Sequence, residues 1–217
     1  MTVSAFVLAA ALAAAPIHWQ GTWASAQQIP EPGNTLAPAD LTDTTLRQIV
    51  HTSVGGTSFR VRLSNAFGKA PLTFDAVHVA RALSPAGARI DPSSDHVLTF
   101  NGQASVTIPA GADYWSDAVE VALPAQSDIA VSLYYAAPPA QQTSHPGSRA
   151  TSYILSGDHA ADADLPGAKT VDHWFNLSGL DVTQTGTSII TLRLLSTKPR
   201  PSTNPGACRA PCSPRRS

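Results

Sequence analysis

Apolar and polar residues alternate with period two along much of the chain from Thr45 onward. In "SFRVRLS" (58–64), Phe59, Val61 and Leu63 fall on one side and Ser58, Arg60, Arg62 and Ser64 on the other. That is the pattern of a strand with one buried face. The same reading predicts strands at "TLRQIVH" (45–51), "LTFDAVHVA" (72–80), "HVLTF" (96–100), "ASVTI" (104–108) and "AVEVAL" (118–123). It continues through "DIAVSLYY" (128–135), "TSYIL" (151–155), "HWFNLSGLDV" (173–182) and "TSIITL" (187–192). Separators such as "SPAG", "DPSSD", "NGQ" and "PAQSD" are rich in turn-forming residues. "SVGGT" supplies the glycines of a predicted hairpin between the strands at 45–51 and 58–64. No long amphipathic helix appears in this region. The predicted fold is all-β, an antiparallel β-sandwich of jelly-roll-like type.

The two ends break the pattern. "AFVLAAALAAA" (5–15) is an apolar run of the length of a signal-peptide core, followed by Pro16, and too short to span a bilayer. Residues 1–15 are therefore expected to be a signal peptide cleaved near Ala15, which makes the protein secreted or periplasmic. "MTVS" lacks the usual positive charge, and a buried N-terminal helix is the competing reading. The sandwich is expected over 16–192. From Arg193 to Ser217 the chain carries five Arg, one Lys and five Pro and no acidic residue, so a disordered tail is expected there.

Composition narrows the function classes. At 217 residues the chain suits one domain, and a net charge of −1 gives no footprint for nucleic acid. Cys208 and Cys212 both lie in the tail, which leaves 1–192 without a disulfide. The seven histidines show no zinc-ligand spacing, and Asp158, Asp162 and Asp164 lack the EF-hand pattern; no metal or cofactor is expected. Ser156, Asp158 and His159 are crowded in "SGDHAADAD", but triad members ordinarily converge from separate elements, and no G-x-S-x-G elbow is present. A surface loop is the better reading of that segment.

Trp19, Trp23, Trp115, Tyr134, Tyr135, Trp174 and Phe175 could include a sugar-stacking platform, although core packing is the commoner role in a sandwich. Arg60, Arg62, Asn65 and Trp174 are the residues predicted for an interdomain or ligand-binding face, since the polar side of the 58–64 strand must meet water or a partner.

"TTLRQIVHTSVGGTSFRVRLSNAFGKAPLTFDAVHVA" resembles the N-terminal β-sandwich domain of secreted SGNH/GDSL-type esterases. The likeness continues through "LTFNGQASVTIPAGADYWSDAVEVALPAQSDIAVSLYY", "TSHPGSRATSYILSGDH" and "HWFNLSGLDV", and so covers most of 18–192. The resemblance implies a C-terminal SGNH hydrolase domain as partner and hydrolysis of acyl or acetylated-sugar esters. It also implies a Gly-Asp-Ser block, holding the nucleophile, directly after the last strand. Here Arg193-Leu194-Leu195 follow "SIITL" instead. Gly-Asp-Ser coded GGC GAC TCN and read two bases late gives Arg-Leu, so a frameshift is the expected origin of the tail.

The sequence thus predicts a non-catalytic domain with no catalytic residues of its own. An autonomous carbohydrate-binding module is the alternative, and a small hydrolase using "SGDH" the least favoured reading. Neither nucleic acid nor a membrane span is expected as a partner; carbohydrate or ester substrate is.

Overall fold

The apolar positions of the alternating segments converge on one interior. A computed structural model describes residues 17–185. The expected signal peptide 1–15, the segment 187–192 and the tail 193–217 lie outside the described residues. The strands are β1 (Ile17–Ala24), β2 (Thr44–His51), β3 (Phe59–Ser64), β4 (Leu72–Phe74), β5 (Ala76–Arg81), β6 (His96–Val97) and β7 (Val106–Ile108). They continue with β8 (Asp113–Trp115), β9 (Asp128–Tyr135), β10 (Ser144–Pro146), β11 (Ser152–Ser156), β12 (Lys169–Val171), β13 (His173–Phe175) and β14 (Leu177–Thr185).

All pairings are antiparallel. One sheet has the order β1-β14-β3-β8 and the other β12-β11-β2-β9-β5-β6, with two-stranded pairs β10-β13 and β4-β7 beside them. The chain is an all-β antiparallel sandwich, as its alternation predicts. Among the described residues no helix is long and apolar enough to cross a membrane.

The main core lies between the two large sheets. Phe59, Val61, Leu63, Leu177, Leu180 and Val182 of the four-stranded sheet meet Leu46, Val50, Val77, Val79, Val131, Leu133 and Tyr135 of the six-stranded one. Gln48 is the polar member of the inner face of β2. Its amide donates to Phe175 O at 3.0 Å and its carbonyl accepts from Phe175 N at 2.6 Å, which fastens β13 to the sheet.

The six-stranded sheet is covered on its other face too. Ala82, Ala88 and Ile90 from one loop and Ala160 and Leu165 from another are buried there, and all but Ala160 join a second cluster with Ile49, Ala80, Ala130 and Tyr153. Double coverage explains why β2 is buried at every position from Thr44 to Val50. The edge strands of this sheet, β12 and β6, are three and two residues long. Short edges leave little template for pairing with another chain.

Three sequence expectations are corrected. "SVGGT" is not a hairpin turn, because β2 and β3 belong to different sheets and the segment crosses between them. "AVEVAL" forms no ladder strand. It is held by isolated bridges, Phe59–Val119 to the start of β3 and Gly56–Leu123 to the segment before it. "HWFNLSGLDV" divides into β13 and β14 at Asn176, whose φ of 54° turns the chain from one sheet pair to the next.

Four further strands, β1, β8, β10 and β12, lie outside the segments that the alternation predicts as strands. In β1 a bulge between Gly21 and Trp23 shifts the register, so Trp19 and Trp23 take opposite faces despite their even spacing.

The "NGQ" separator behaves as its glycine predicts. Asn101 and Gly102 have φ of 53° and 79°, and Phe100 and Gln103 exchange both backbone hydrogen bonds. Asp117 fixes this turn, accepting from Gly102 N at 2.7 Å, Thr99 Oγ1 at 2.7 Å and Asn101 N at 3.0 Å. The Gly102 amide, and after it the Thr99 hydroxyl, hold the Asp117 carboxyl below its usual 3.8. A depressed folded pKa contributes stability that is present above the unfolded pKa and lost as pH falls through the folded one. Thermal unfolding followed from pH 6 downward is therefore expected to show a steeper loss below about pH 4 for the native chain than for Asp117→Asn. Parallel curves would show that these hydrogen bonds contribute nothing.

Candidate functional site on the open face of the four-stranded sheet

Alternation along β3 sends Arg60 and Arg62 away from the core, onto the outer face of the four-stranded sheet. Register then decides their neighbours. Arg60 pairs with Asp181 of β14, Gly21 of β1 pairs with the same Asp181, and Arg62 pairs with Trp115 of β8. Trp19 lies two positions from Gly21 on the same side of β1. Four strands thus bring Trp19, Asp181, Arg60, Arg62 and Trp115 onto one surface.

The geometry is tight. The Arg60 guanidinium carbon lies 4.3 Å from the Trp19 ring centroid and 4.1 Å from that of Trp115. Its Nη2 donates to Asp181 Oδ2 at 2.9 Å and its Nε to the same oxygen at 3.3 Å. Arg62 lies 5.2 Å over Trp115 and donates to Ser178 Oγ at 3.0 Å and Ser178 O at 3.2 Å. Each cation–π contact at a partly exposed site contributes about 0.5–1 kcal/mol. Together with the ion pair, they fix side chains that on most surfaces would sweep freely through water. This layer is rigid and half-buried, with the Arg60 charge already matched by Asp181. No described hydrophobic cluster covers it, in contrast to the outer face of the six-stranded sheet.

The predicted face does not hold together as a unit. Arg60 and Arg62 share it. Asn65 is fully buried, and its amide donates to Ala70 O, Ile108 O and Pro109 O at 2.9, 3.0 and 3.2 Å, so it braces the end of β3. Trp174 sits elsewhere, edge-to-face with Trp23 at 4.9 Å, with its Nε1 donating to Ile49 O at 3.1 Å. Asp181 and the role of the two tryptophans were missed by the sequence reading. The alternation of "LSGLDV" places Asp181 on the polar side, but only the strand order places it beside Arg60.

The "SGDH" loop is not a catalytic dyad. Ser156 Oγ donates to Asp43 O at 3.3 Å, while His159 Nε2 faces the Ser156 carbonyl at 3.0 Å and His159 Nδ1 faces Asp162 Oδ2 at 2.7 Å. Both ring nitrogens are taken up by acceptors, and neither reaches the hydroxyl that a general base would have to activate. Asp158 and Asp164 cap the same loop through Ala160 N and Leu165 N. Among the described residues no group of three or more His, Cys, Asp or Glu could hold a metal ion. A fluorophosphonate probe is expected to leave Ser156 unlabelled, and Ser156→Ala to leave ester turnover at background. Labelling at Ser156 that His159→Ala abolishes would reverse this assignment.

No protein-family model matches the chain, and no curated protein matches it.

Proposed function

We propose that the chain is the non-catalytic β-sandwich domain of a secreted SGNH/GDSL-type ester hydrolase, and that the Trp19–Arg60–Trp115 layer docks the hydrolase domain. The observation that carries this reading is the layer itself. It holds tryptophan and arginine in fixed positions, the residue types that dominate the energetics of protein interfaces. Its one hydroxyl, that of Ser178, is bonded to Arg62, and its one carboxylate, that of Asp181, to Arg60. A surface of that chemistry binds; it does not react. The partner's identity comes from the resemblance of 18–192 to the esterase sandwich domain, and the sequence contains no Gly-Asp-Ser of its own. The alternative, an autonomous carbohydrate-binding module using these indoles, is disfavoured because a single guanidinium, that of Arg60, lies over both rings and fills the space in which a sugar would have to meet the pair.

The test begins with the DNA that follows codon 192. A Gly-Asp-Ser codon block in another frame is expected there, and its absence from every frame would end the proposal. With the frame restored, the protein is expected to hydrolyse short-chain p-nitrophenyl esters while the 217-residue chain does not. In that restored protein Trp115→Ala is expected to weaken docking of the two domains by about 2 kcal/mol, seen as separation of one unfolding transition into two. A single unchanged transition would remove this face from the interface.

A further inference from the structure

A second constellation lies where β1, β2, β9 and β13 reach one end of the sandwich, away from the open sheet face. Trp23, turned inward by the bulge in β1, and Trp174 of β13 form one wall of a cleft of about 320 Å³, and Ile49 lies at its base. His51, Asp128 and Arg149 supply its polar lining, beside Val50, Pro85 and Ala150. A volume of that size falls at the lower end of small-ligand sites, roughly 300–1,000 Å³.

The wall is held in place. Trp174 Nε1 is bonded to Ile49 O, and the His145 ring stacks on the Trp174 indole at 5.7 Å. The rim is held as well. His51 Nδ1 lies 2.8 Å from Asp128 Oδ1, and its Nε2 lies 3.2 Å from Gln126 Oε1. The hydrogen bond to Asp128, and after it that to Gln126, raises the His51 pKa, which favours the imidazolium.

Arg149 is the unusual member. Its φ is 56°, a left-handed conformation costly for a residue with a Cβ, and it follows Gly147 at 71° in the same turn. That turn is tied down by Ser148 N to Asp172 O at 2.9 Å and Gly147 N to His173 Nδ1 at 3.1 Å. Among the described residues no side chain pairs with the Arg149 guanidinium. A strained, exposed and unpaired cation at the rim of an aromatic cleft has no evident role in the fold.

We propose that this cleft binds one uronic-acid pyranose, with the apolar face of the sugar on the Trp23–Trp174 wall, its carboxylate on Arg149 and its hydroxyls on the His51–Asp128 pair. The aromatic wall supplies the contact that the C–H face of a pyranose requires. The unpaired Arg149 guanidinium places a permanent positive charge at the rim, which selects an anionic sugar over a neutral one. The guanidinium fork matches a carboxylate in two parallel hydrogen bonds. Asp128 offers an acceptor that a hydroxylated ring satisfies and a plain aromatic acid does not. The inference stands apart from the esterase reading, since it uses none of the open-face residues.

The test is a titration of the full chain, its indole N–H signals resolved by nuclear magnetic resonance, with sodium glucuronate, glucose and sodium benzoate in separate series. Glucuronate is expected to shift the Trp23 and Trp174 indole signals saturably, with a dissociation constant on the order of 1 mM, and to leave Trp19 and Trp115 unmoved. Arg149→Gly removes the cation and relieves the left-handed backbone, so the variant folds. It is expected to weaken glucuronate about tenfold. His51→Ala provides a second variant with an expected loss in the same direction. Equal binding of glucose, tighter binding of benzoate, shifts at Trp19 or Trp115 alone, or affinity unchanged by Arg149→Gly would each overturn the proposal. So would the absence of any saturable shift.

Discussion

Replacing Arg47 with Met is expected to be the most damaging single change in the described fold. Arg47 sits in the middle of β2 with its side chain fully buried, although no carboxylate pairs with it among the described residues. Its charge is met by oxygen dipoles. Nε donates to Ser132 Oγ at 2.9 Å and Nη1 to Ala88 O at 2.7 Å, and Nη2 reaches Asp162 O at 2.7 Å, Ala160 O at 3.2 Å and His159 O at 3.3 Å. Burial pushes the guanidinium below its usual pKa, while the charges of Asp95, Asp162 and Asp164 pull the other way. Arginine stays protonated throughout, so a charged group stands permanently inside the protein.

The consequence lies in what those oxygens belong to. Ala88 is in one of the loops that cover the outer face of the six-stranded sheet, and residues 159–162 are in the other. One guanidinium therefore fastens both loops to the same strand. Thr45 reinforces the second loop, accepting from His159 N at 2.7 Å and donating to Gly157 O at 2.8 Å. Met fills much of the volume but leaves several buried carbonyls without a donor, each costing about 1–3 kcal/mol where water cannot reach it. Loop opening recovers part of that loss, and a net destabilisation of about 4 kcal/mol is expected. For a domain of this size that lowers Tm by about 10 °C. Hydrogen exchange should accelerate first at 82–90 and 157–168, ahead of β9. A Tm within about 3 °C of the native value would show that the carbonyl cage contributes little.

Little in the sequence announces this role. "TLRQIVH" reads as a strand, and period two puts Arg47 and Ile49 on the side opposite Leu46 and Val50. What the pattern leaves open is whether that second side meets water. The covering loops are built from alanines and lone aliphatics, whose spacing carries no period. Sheet coverage is a tertiary fact that local alternation cannot encode. "DIAVSLYY", by contrast, was readable end to end, because Ile129, Val131, Leu133 and Tyr135 make one face uniformly large and apolar while the other face is mixed.

The candidate face was half-legible for a related reason. Arg60 and Arg62 follow from alternation, but their partners come from β1, β8 and β14, which are remote in sequence. The bulge that separates Trp19 from Trp23 has no residue signature beyond a glycine, so β1 itself escaped prediction. Asn65 was grouped with the arginines by proximity along the chain. Strand β3 ends at Ser64, however, and the next residue turns inward.

"SVGGT" is the case in which correct chemistry led to the wrong structure, and it yields the second large effect. Paired glycines permit a tight turn, and they equally permit two backbones to come closer than a side chain allows. The structure uses the second property. A Cβ on Gly56 would lie 2.7 Å from Val182 Cβ and 3.0 Å from Thr183 N, and closer still to the Thr183 carbonyl oxygen. These are atoms of β14, an inner strand paired on both sides, so they cannot retreat without disturbing β1 and β3. Gly56 also exchanges two hydrogen bonds of 2.9 Å with Leu123, which hold the 118–123 segment against the sheet. Gly56→Ala gains about 0.4–1 kcal/mol from a stiffer unfolded chain. Overpacking against backbone costs about 1–3 kcal/mol, occasionally more, and here it is joined by weakened bonds to Leu123. A net loss of about 2–3 kcal/mol is expected. Gly33→Ala is the matched control, because its added Cβ meets nothing within 4 Å. Chemical denaturation of the two variants in parallel should show Gly56→Ala with a clearly lower midpoint and Gly33→Ala at or above the native one. If both behave alike, the glycine at 56 serves chain flexibility, and the close approach to β14 does not constrain it.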